Sequence, residues 1–290
     1  MTAPGRRKLP DAPIAWGSLV DEYLTWMRAI GRSPITVELR RSQLRHVARE
    51  IGGNPTQVTH EDLIDWFARY AHWMPETRRS YRAAVRGLFE WAYKFGRMVV
   101  NPATDLPQMP SGDALPKPVP DLVWRDALAN ATPRVTVMLR LAAEAGLRRA
   151  EISRVHTRDL LNGVGGAQLV VHGKGGKKRL LPLSADLAAL VAAGAAGHTS
   201  NMQATGWLFP DGLGSHISPQ SVGRLVGALL PPGYSCHKLR HRFASRAYRG
   251  TRNLRAVQTL LGHASIATTE RYTAVDDYEM RAAMMAAALN

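Results

Sequence analysis

The chain has 290 residues, with 38 Lys and Arg against 23 Asp and Glu, a formal charge of +15 and a pI near 10.6. That balance points to a polyanionic partner, nucleic acid above all. There is no apolar run of the roughly 20 residues needed to span a bilayer, and residues 1–13 lack the apolar core of a secretion signal, so a cytoplasmic protein is expected. The single cysteine, Cys236, excludes an internal disulfide, and without a Cys/His cluster neither a structural zinc nor another metal site is expected. Basic charge is uneven: residues 1–110 carry 16 basic against 11 acidic side chains, and residues 111–290 carry 22 against 12.

Residues 1–15 read as a short tail without packing periodicity. Residues 16–105 read as a four-helix unit. A first helix covers residues 19–30. Ser33 and Pro34 supply an N-cap and first-turn proline for a second, reaching about residue 50 with Leu44, Val47, Ala48 and Ile51 on one face. Thr59 and Asp62 form a capping box opening a third that presents Leu63, Ile64, Phe67 and Tyr70. A fourth begins near Thr77 and turns Tyr81, Val85, Leu88, Phe89 and Ala92 inward. Trp16, Trp26, Trp66, Trp73 and Trp91 are expected in the core. The outward faces carry Arg40, Arg41, Arg45, Arg49, Arg78, Arg79, Arg82 and Arg86, spaced as a groove-facing surface requires, although a solvated helix face has the same pattern.

Residues 106–120 hold five prolines and read as an extended linker, since proline fixes its own backbone angle and disfavours helix in the residue before it. Residues 121–275 then read as a mixed unit. Helices over 121–130 and 134–146 precede Arg148, and a hairpin pairs residues 168–172 with 178–182, with Lys174 in its turn. Helices follow from Ser184, Pro219, His237, Asn253 and Ser265, and residues 276–290 form a short amphipathic tail with Met284, Met285, Ala288 and Leu289 on one side. The expected class is mainly α with a small β-sheet: a four-helix unit and an α+β unit joined by the linker.

The chemistry-bearing residues lie in the second unit: Arg148 and Glu151 in AGLRRAEISRV, Lys174 in VHGKGGKKR, His237 and Arg240 in HKLRHRF, His263 in LLGHAS, and Tyr272 nine residues later. Guanidiniums grip phosphate oxygens with paired hydrogen bonds, and a lysine whose pKa falls among other cations can protonate a leaving oxygen. A tyrosine hydroxyl can attack phosphorus. Singly, each has an ordinary reading: a His and an Arg on one helix face are usually solvated, and glycines between apolar runs usually mark a turn. The turn at Lys174 lacks the spacing of a nucleotide-binding P-loop. A cysteine nucleophile at Cys236 is disfavoured, because a free cysteine is most often a small buried apolar residue.

Together, in this order and spacing, the motifs resemble the tyrosine recombinase family, which includes the phage integrases and Xer-type site-specific recombinases. The resemblance runs from about Trp16 to the end, with the specific motifs in the second half. It implies a core-site DNA-binding unit followed by a catalytic domain. Tyr272 would be the nucleophile and Arg148 and Arg240 the phosphate clamp. Lys174 would be the general acid, His237 and His263 would activate or stabilise the phosphate, and Glu151 would orient the Arg148 and His237 side. DNA contacts are expected from Arg40, Arg41, Arg45, Arg78, Arg79, Arg82 and Arg86, and near the site from Lys177, Lys178 and Arg242. The implied reaction cuts and rejoins DNA through a 3′-phosphotyrosyl bond, without cofactor or metal, on double-stranded core sites. The implied assembly is a monomer in solution and a tetramer on DNA whose tails dock on neighbours, with an accessory DNA-bending factor possible. Residues 1–15 are too short for an extra arm-site-binding domain, so simple core sites are expected. Integration or excision of mobile DNA is preferred to an Xer-type resolvase role. A type IB topoisomerase or a non-catalytic DNA-binding repressor would use the same cations.

Overall fold

The structure, a computed structural model, describes residues 13–109, 117–163 and 165–262. The chain divides into two compact units, residues 1–113 and 114–290.

Among the described residues, four α-helices build the first unit: α1 (Ile14–Ala29), α2 (Pro34–Ile51), α3 (His60–Arg69) and α4 (Pro75–Lys94). Their starts are set by local chemistry. Ser33 Oγ accepts from the Thr36 amide at 3.3 Å, ahead of Pro34. At Thr59 the capping box closes both ways, the Asp62 amide donating to Thr59 Oγ1 at 3.1 Å and the Thr59 amide to Asp62 Oδ2 at 2.9 Å. The fourth helix begins at Pro75 rather than near Thr77, because proline fits the first helical turn where no amide donor is needed. The first begins at Ile14, so that Trp16 is wholly buried and donates its indole N–H to Gly52 O at 3.0 Å. The core joins Trp16, Leu24, Leu44, Val47, Leu63, Trp66, Val85, Leu88 and Phe89. Trp26 and Trp73 pack on its edge. Leu106 and Met109 are also buried in this core, and Arg82 grips Leu106 O through Nε (3.2 Å) and Nη2 (2.5 Å). Apolar packing of the first unit thus runs into the proline-rich segment, while Val119 at its far end belongs to the core of the second.

The second unit contains α5 (Asp121–Ala129), α6 (Pro133–Ala143), the four-residue α7 (Arg149–Ile152), a three-stranded antiparallel sheet, then α8 (Ala185–Ala192), α9 (Pro219–Gly227), α10 (Cys236–Thr251) and α11 (Leu254–Leu261). The strands β1 (Leu160–Gly163), β2 (Gly166–His172) and β3 (Lys178–Pro182) lie in that order. Leu169 pairs with Leu181, Val171 with Arg179, and His172 with Lys178. Leu169, Val171 and Leu181 are buried, the alternation that places one face of the hairpin on the core. Met138, Leu139, Leu141, Phe209 and Leu239 fill that core, and α6 lies against α10. Among the described residues no helix is long and apolar enough to cross a membrane.

Candidate active site

The site is built on a sharp corner between α6 and α7. Gly146 has φ +65°, and a Cβ there would run into Cδ1 of Phe243 on α10. Only glycine combines that left-handed backbone with the close approach of an aromatic ring. Leu147 is fully buried beside it, so the corner is clamped and Arg148 leaves it at a fixed angle as the N-cap of α7. Gly146→Ala is therefore expected to cost roughly 2–4 kcal/mol, the sum of a left-handed alanine and an overpacked contact. Urea unfolding measures this, and an unchanged midpoint would mean that Phe243 yields freely.

Glu151 is the centre of the site. It is 5% exposed, and its carboxylate is the meeting point of three arginines. The Arg148 amide donates to Oε2 at 2.9 Å and Arg148 Nη1 to Oε1 at 2.8 Å. Arg179 places Nη1 on Oε1 and Nη2 on Oε2, both at 2.9 Å. Arg240 Nη1 stands 3.7 Å from Oε2. Burial alone would raise the Glu151 pKa; the Arg179 fork, the Arg148 amide and the charges of Arg179 and Arg240 overcome it and hold the carboxyl at about 2.

Arg240, 1% exposed on α10, donates from Nη1 to Gly146 O at 2.5 Å and from Nη2 to Leu261 O at 2.6 Å. It thereby ties the glycine corner to the end of α11. His237 lies one turn earlier on α10 and is open to solvent, its ring edge-on to His241 at 4.5 Å. Partial desolvation, then the charges of Arg240, Lys238 and Arg148, push its pKa below the usual histidine value, so the neutral imidazole prevails at neutral pH. Arg148, Glu151, His237 and Arg240, from two separate motifs, are thus gathered at one place. His263 and Tyr272 lie outside the described residues, as do the helix expected from Ser265 and the tail; the chain is described up to Gly262, which caps α11 with φ +62°.

Lys174 opens the turn between β2 and β3, a short 3-10 turn in which Gly175 and Gly176 both have positive φ. Lys177 and Lys178 follow it and are exposed. Arg242, expected on the DNA-facing surface, is instead 7% exposed, paired with Asp121 and lying 5.4 Å over the Trp124 ring. Two residues after Arg240 the helix has turned by about 200°, so Arg242 faces α5. In the first unit Arg40 donates to Gln43 Oε1 and Ser80 O, both at 2.8 Å, and Arg82 is held by Leu106 O. Arg41 and Arg79 pair with Glu38 and Glu76, and Arg45 and Arg79 are exposed while Arg78 and Arg86 are half-buried.

Arg179 lies outside the motifs that the sequence singles out. It stands in a Lys-Lys-Arg run at the start of the second hairpin strand, and the signal in the sequence is that place on a strand, where Val171, opposite it, faces the core. Cys236 is buried, which pushes its thiol up to about 11 against the opposing charges of Arg149 and Arg240. Its thiolate is scarce at neutral pH, as suits a packing residue.

Similarity to known proteins bears on this arrangement. Residues 124–279 match the model of the phage integrase family. The chain is 30% identical over 288 residues to a tyrosine recombinase XerD of Caulobacter vibrioides, covering 90% of this chain and 92% of that protein. It is 31% identical over 281 residues to a tyrosine recombinase XerC of Shewanella amazonensis, with the same coverage of 90% and 92%. In fold it is similar to lambda integrase (75–356) solved as a dimer bound to a core site, with TM-score 0.72, 16% identity, and 90% and 96% of the two chains covered. It is also similar in fold to the XerH site-specific recombinase in a post-cleavage complex, with TM-score 0.68, 16% identity, and 98% and 99% covered. Fold and sequence therefore define a single class. The chain belongs to the phage integrase family, the tyrosine recombinases, and is a DNA breaking-and-rejoining enzyme of the site-specific recombinase class.

Proposed function

We propose that Tyr272 attacks a phosphodiester of a double-stranded core site, forming a 3′-phosphotyrosyl bond and releasing a 5′-oxygen that takes its proton from Lys174. The 5′-hydroxyl of a second duplex then attacks the phosphotyrosine and restores the tyrosine. The energy of the broken bond is kept in the ester, so no nucleotide cofactor is needed. The observation that carries this reading is the gathering of Arg148 and Arg240 on the buried Glu151 carboxylate, with a neutral-leaning His237 on the same helix as Arg240. Forked donors held in place match the charge that spreads over the non-bridging oxygens of a reacting phosphate. His237 can accept a proton from the attacking hydroxyl, and His263 is assigned to the same phosphate by its motif.

The partners are core sites in duplex DNA, gripped by both units, with Lys177 and Lys178 beside the site and Arg45, Arg78, Arg79 and Arg86 on the first unit. Four protomers would assemble on paired sites from monomers in solution, in the bacterial cytoplasm, with or without a bending factor. Integration and excision of mobile DNA is the role proposed. Resolution of chromosome or plasmid dimers is the second reading, and the Xer names of the relatives favour it. Incubation of the protein in excess EDTA with host genomic DNA and with DNA of mobile elements, followed by sequencing of protein-linked ends, tests both. Ends clustered at one element junction support the first role, ends at a single chromosomal site the second, and the absence of any covalent ends would sink the reaction itself.

Lys174 has its own test. Lys174→Ala is expected to slow cleavage of ordinary DNA about 100-fold or more, the usual worth of a general acid, yet to cleave a substrate with a 5′-bridging sulfur nearly as fast as wild type. A thiolate leaves without a proton. Equal defects on the two substrates would make Lys174 a phosphate-binding cation instead.

A further inference from the structure

We propose that Arg179 is a positioning residue which neutralises Glu151, so that Glu151 can orient Arg148 without cancelling the positive charge that Arg148 and Arg240 offer the phosphate. This rests on the reaction proposed above and assigns a role to a residue outside the recognised motifs.

The geometry carries it. Glu151 has one negative charge, and both of its oxygens are taken by the Arg179 fork at 2.9 Å. The third direction of the same guanidinium is used too, Nε donating to Leu260 O at 2.9 Å. Arg179 side-chain exposure is 12% and that of Glu151 is 4%, so the pair is desolvated and its charges offset one another at short range. Arg148 is different: its side chain is 41% exposed and makes a single side-chain contact with Glu151 at 2.8 Å. Without Arg179 the carboxylate would have only the two clamp arginines as counterions, and a phosphate entering the site would meet three charges summing to +1. With Arg179 the four groups sum to +2. In a site of low dielectric that difference falls directly on the stabilisation of a dianionic transition state.

Arg179 also joins three motif segments. It sits on β3, five residues beyond Lys174 and directly across from Val171, while its fork reaches the Arg148 corner and its Nε reaches the end of α11. A Cβ on Gly262 would lie 3.0 Å from Arg179 Cδ, so the glycine preceding His263 is where the backbone passes over this side chain. The requirement for glycine in that motif thus has a second cause besides its positive φ.

The experiment measures half-site binding and single-turnover formation of the covalent adduct for Arg179→Lys, Arg179→Met, Glu151→Gln and the double variant Glu151→Gln with Arg179→Met. Arg179→Met is expected to bind a half-site within about threefold of wild type and to form adduct roughly 100-fold more slowly, the scale of one lost electrostatic contact in the transition state. Arg179→Lys keeps the charge and is expected to lose only about tenfold or less. The double variant removes the buried charge pair as a whole and is expected to outpace Arg179→Met by about tenfold or more at matched half-site occupancy and well below the melting temperature of either variant, so that recovered stability alone does not account for the rescue. A double variant no faster than Arg179→Met, or an Arg179→Lys as slow as Arg179→Met, overturns the charge-balancing role. Should Arg179→Met fail to fold, Arg179→Lys and the double variant are compared directly: both active supports the role, and a folded but inactive double variant refutes it. Wild-type adduct formation in the same assay reports on the reaction itself, so its absence would indict that reading and not the assignment of Arg179.

Discussion

Tyr272→Phe is expected to bind core-site DNA with near-normal affinity and to yield no covalent protein–DNA product. The substitution removes one oxygen and leaves the ring, whereas binding draws chiefly on phosphate contacts by a chain of net charge +15. The chemical step has no substitute for that oxygen. Tyrosine's ordinary pKa near 10 means that the attacking hydroxyl needs either a base or stabilisation of its anion; in the proposed reaction the cations of the site would supply the second and neutral His237 the first. The measurement is a denaturing gel of protein mixed with end-labelled half-site. Residual adduct would move the nucleophile to another tyrosine, with Tyr248, whose ring faces the Arg252 guanidinium, and Tyr278 the next to replace. Equal loss of binding and adduct would instead show that the Tyr272 hydroxyl is needed to hold the DNA.

The legible parts of this chain were those written in short-range rules. Ser33, Thr59 and Pro34 announce their helices through caps that the backbone itself requires, and the 3.6-residue spacing of Leu44, Val47 and Ala48 or of Val85, Leu88 and Ala92 names the buried faces. The hairpin around Lys174 was equally readable, because period-two alternation and a glycine turn coincide there. What escaped was decided at long range. β1 holds four residues, of which only Leu160 and Leu161 are apolar, too few to show a period, and it exists because β2 offers a free edge. α7 is one turn held by Glu151 and its corner. The arginines were the hardest to sort. Arg45 and Arg242 look alike in sequence, yet one is exposed and the other is sealed between Asp121 and Trp124. Likewise Arg179 reads as one more cation of a basic hairpin and proves to be the counterion of Glu151, which with Asp159 is one of the two buried carboxylates among the described residues. Whether an arginine is a surface charge or a structural fork depends on what lies across the fold, and that is not local information.

Arg148→Lys and Arg240→Lys should both lose far more cleavage than binding, but the structure separates them by stability. In either variant a point charge replaces a planar fork, and the loss of one transition-state donor is typically ~3 kcal/mol, or about 100-fold in rate. Arg148 is half-exposed, and its amide contact to Glu151 survives the change. Its lysine variant is therefore expected to melt within about 0.5 kcal/mol of wild type, as substitutions outside the core do. Arg240 is buried and satisfies Gly146 O and Leu261 O at once. An ammonium cannot reach both carbonyls in that geometry, so one buried acceptor loses its partner at a cost of roughly 1–3 kcal/mol. Arg240→Lys should then melt lower as well as cleave slowly. Neither defect should be relieved by pH. The Glu151 carboxyl is held at about 2, so its stabilising contribution is fully present above the ordinary carboxylate range and is lost only as pH falls toward that value. Across about pH 5 to 9 the anchor stays ionised and the ratio of mutant to wild-type cleavage is expected to stay flat. Cleavage and half-site binding falling in equal proportion would reduce both arginines to positioning contacts. A thermally normal Arg240→Lys would show that the corner between α6 and α7 and the end of α11 hold together without that guanidinium.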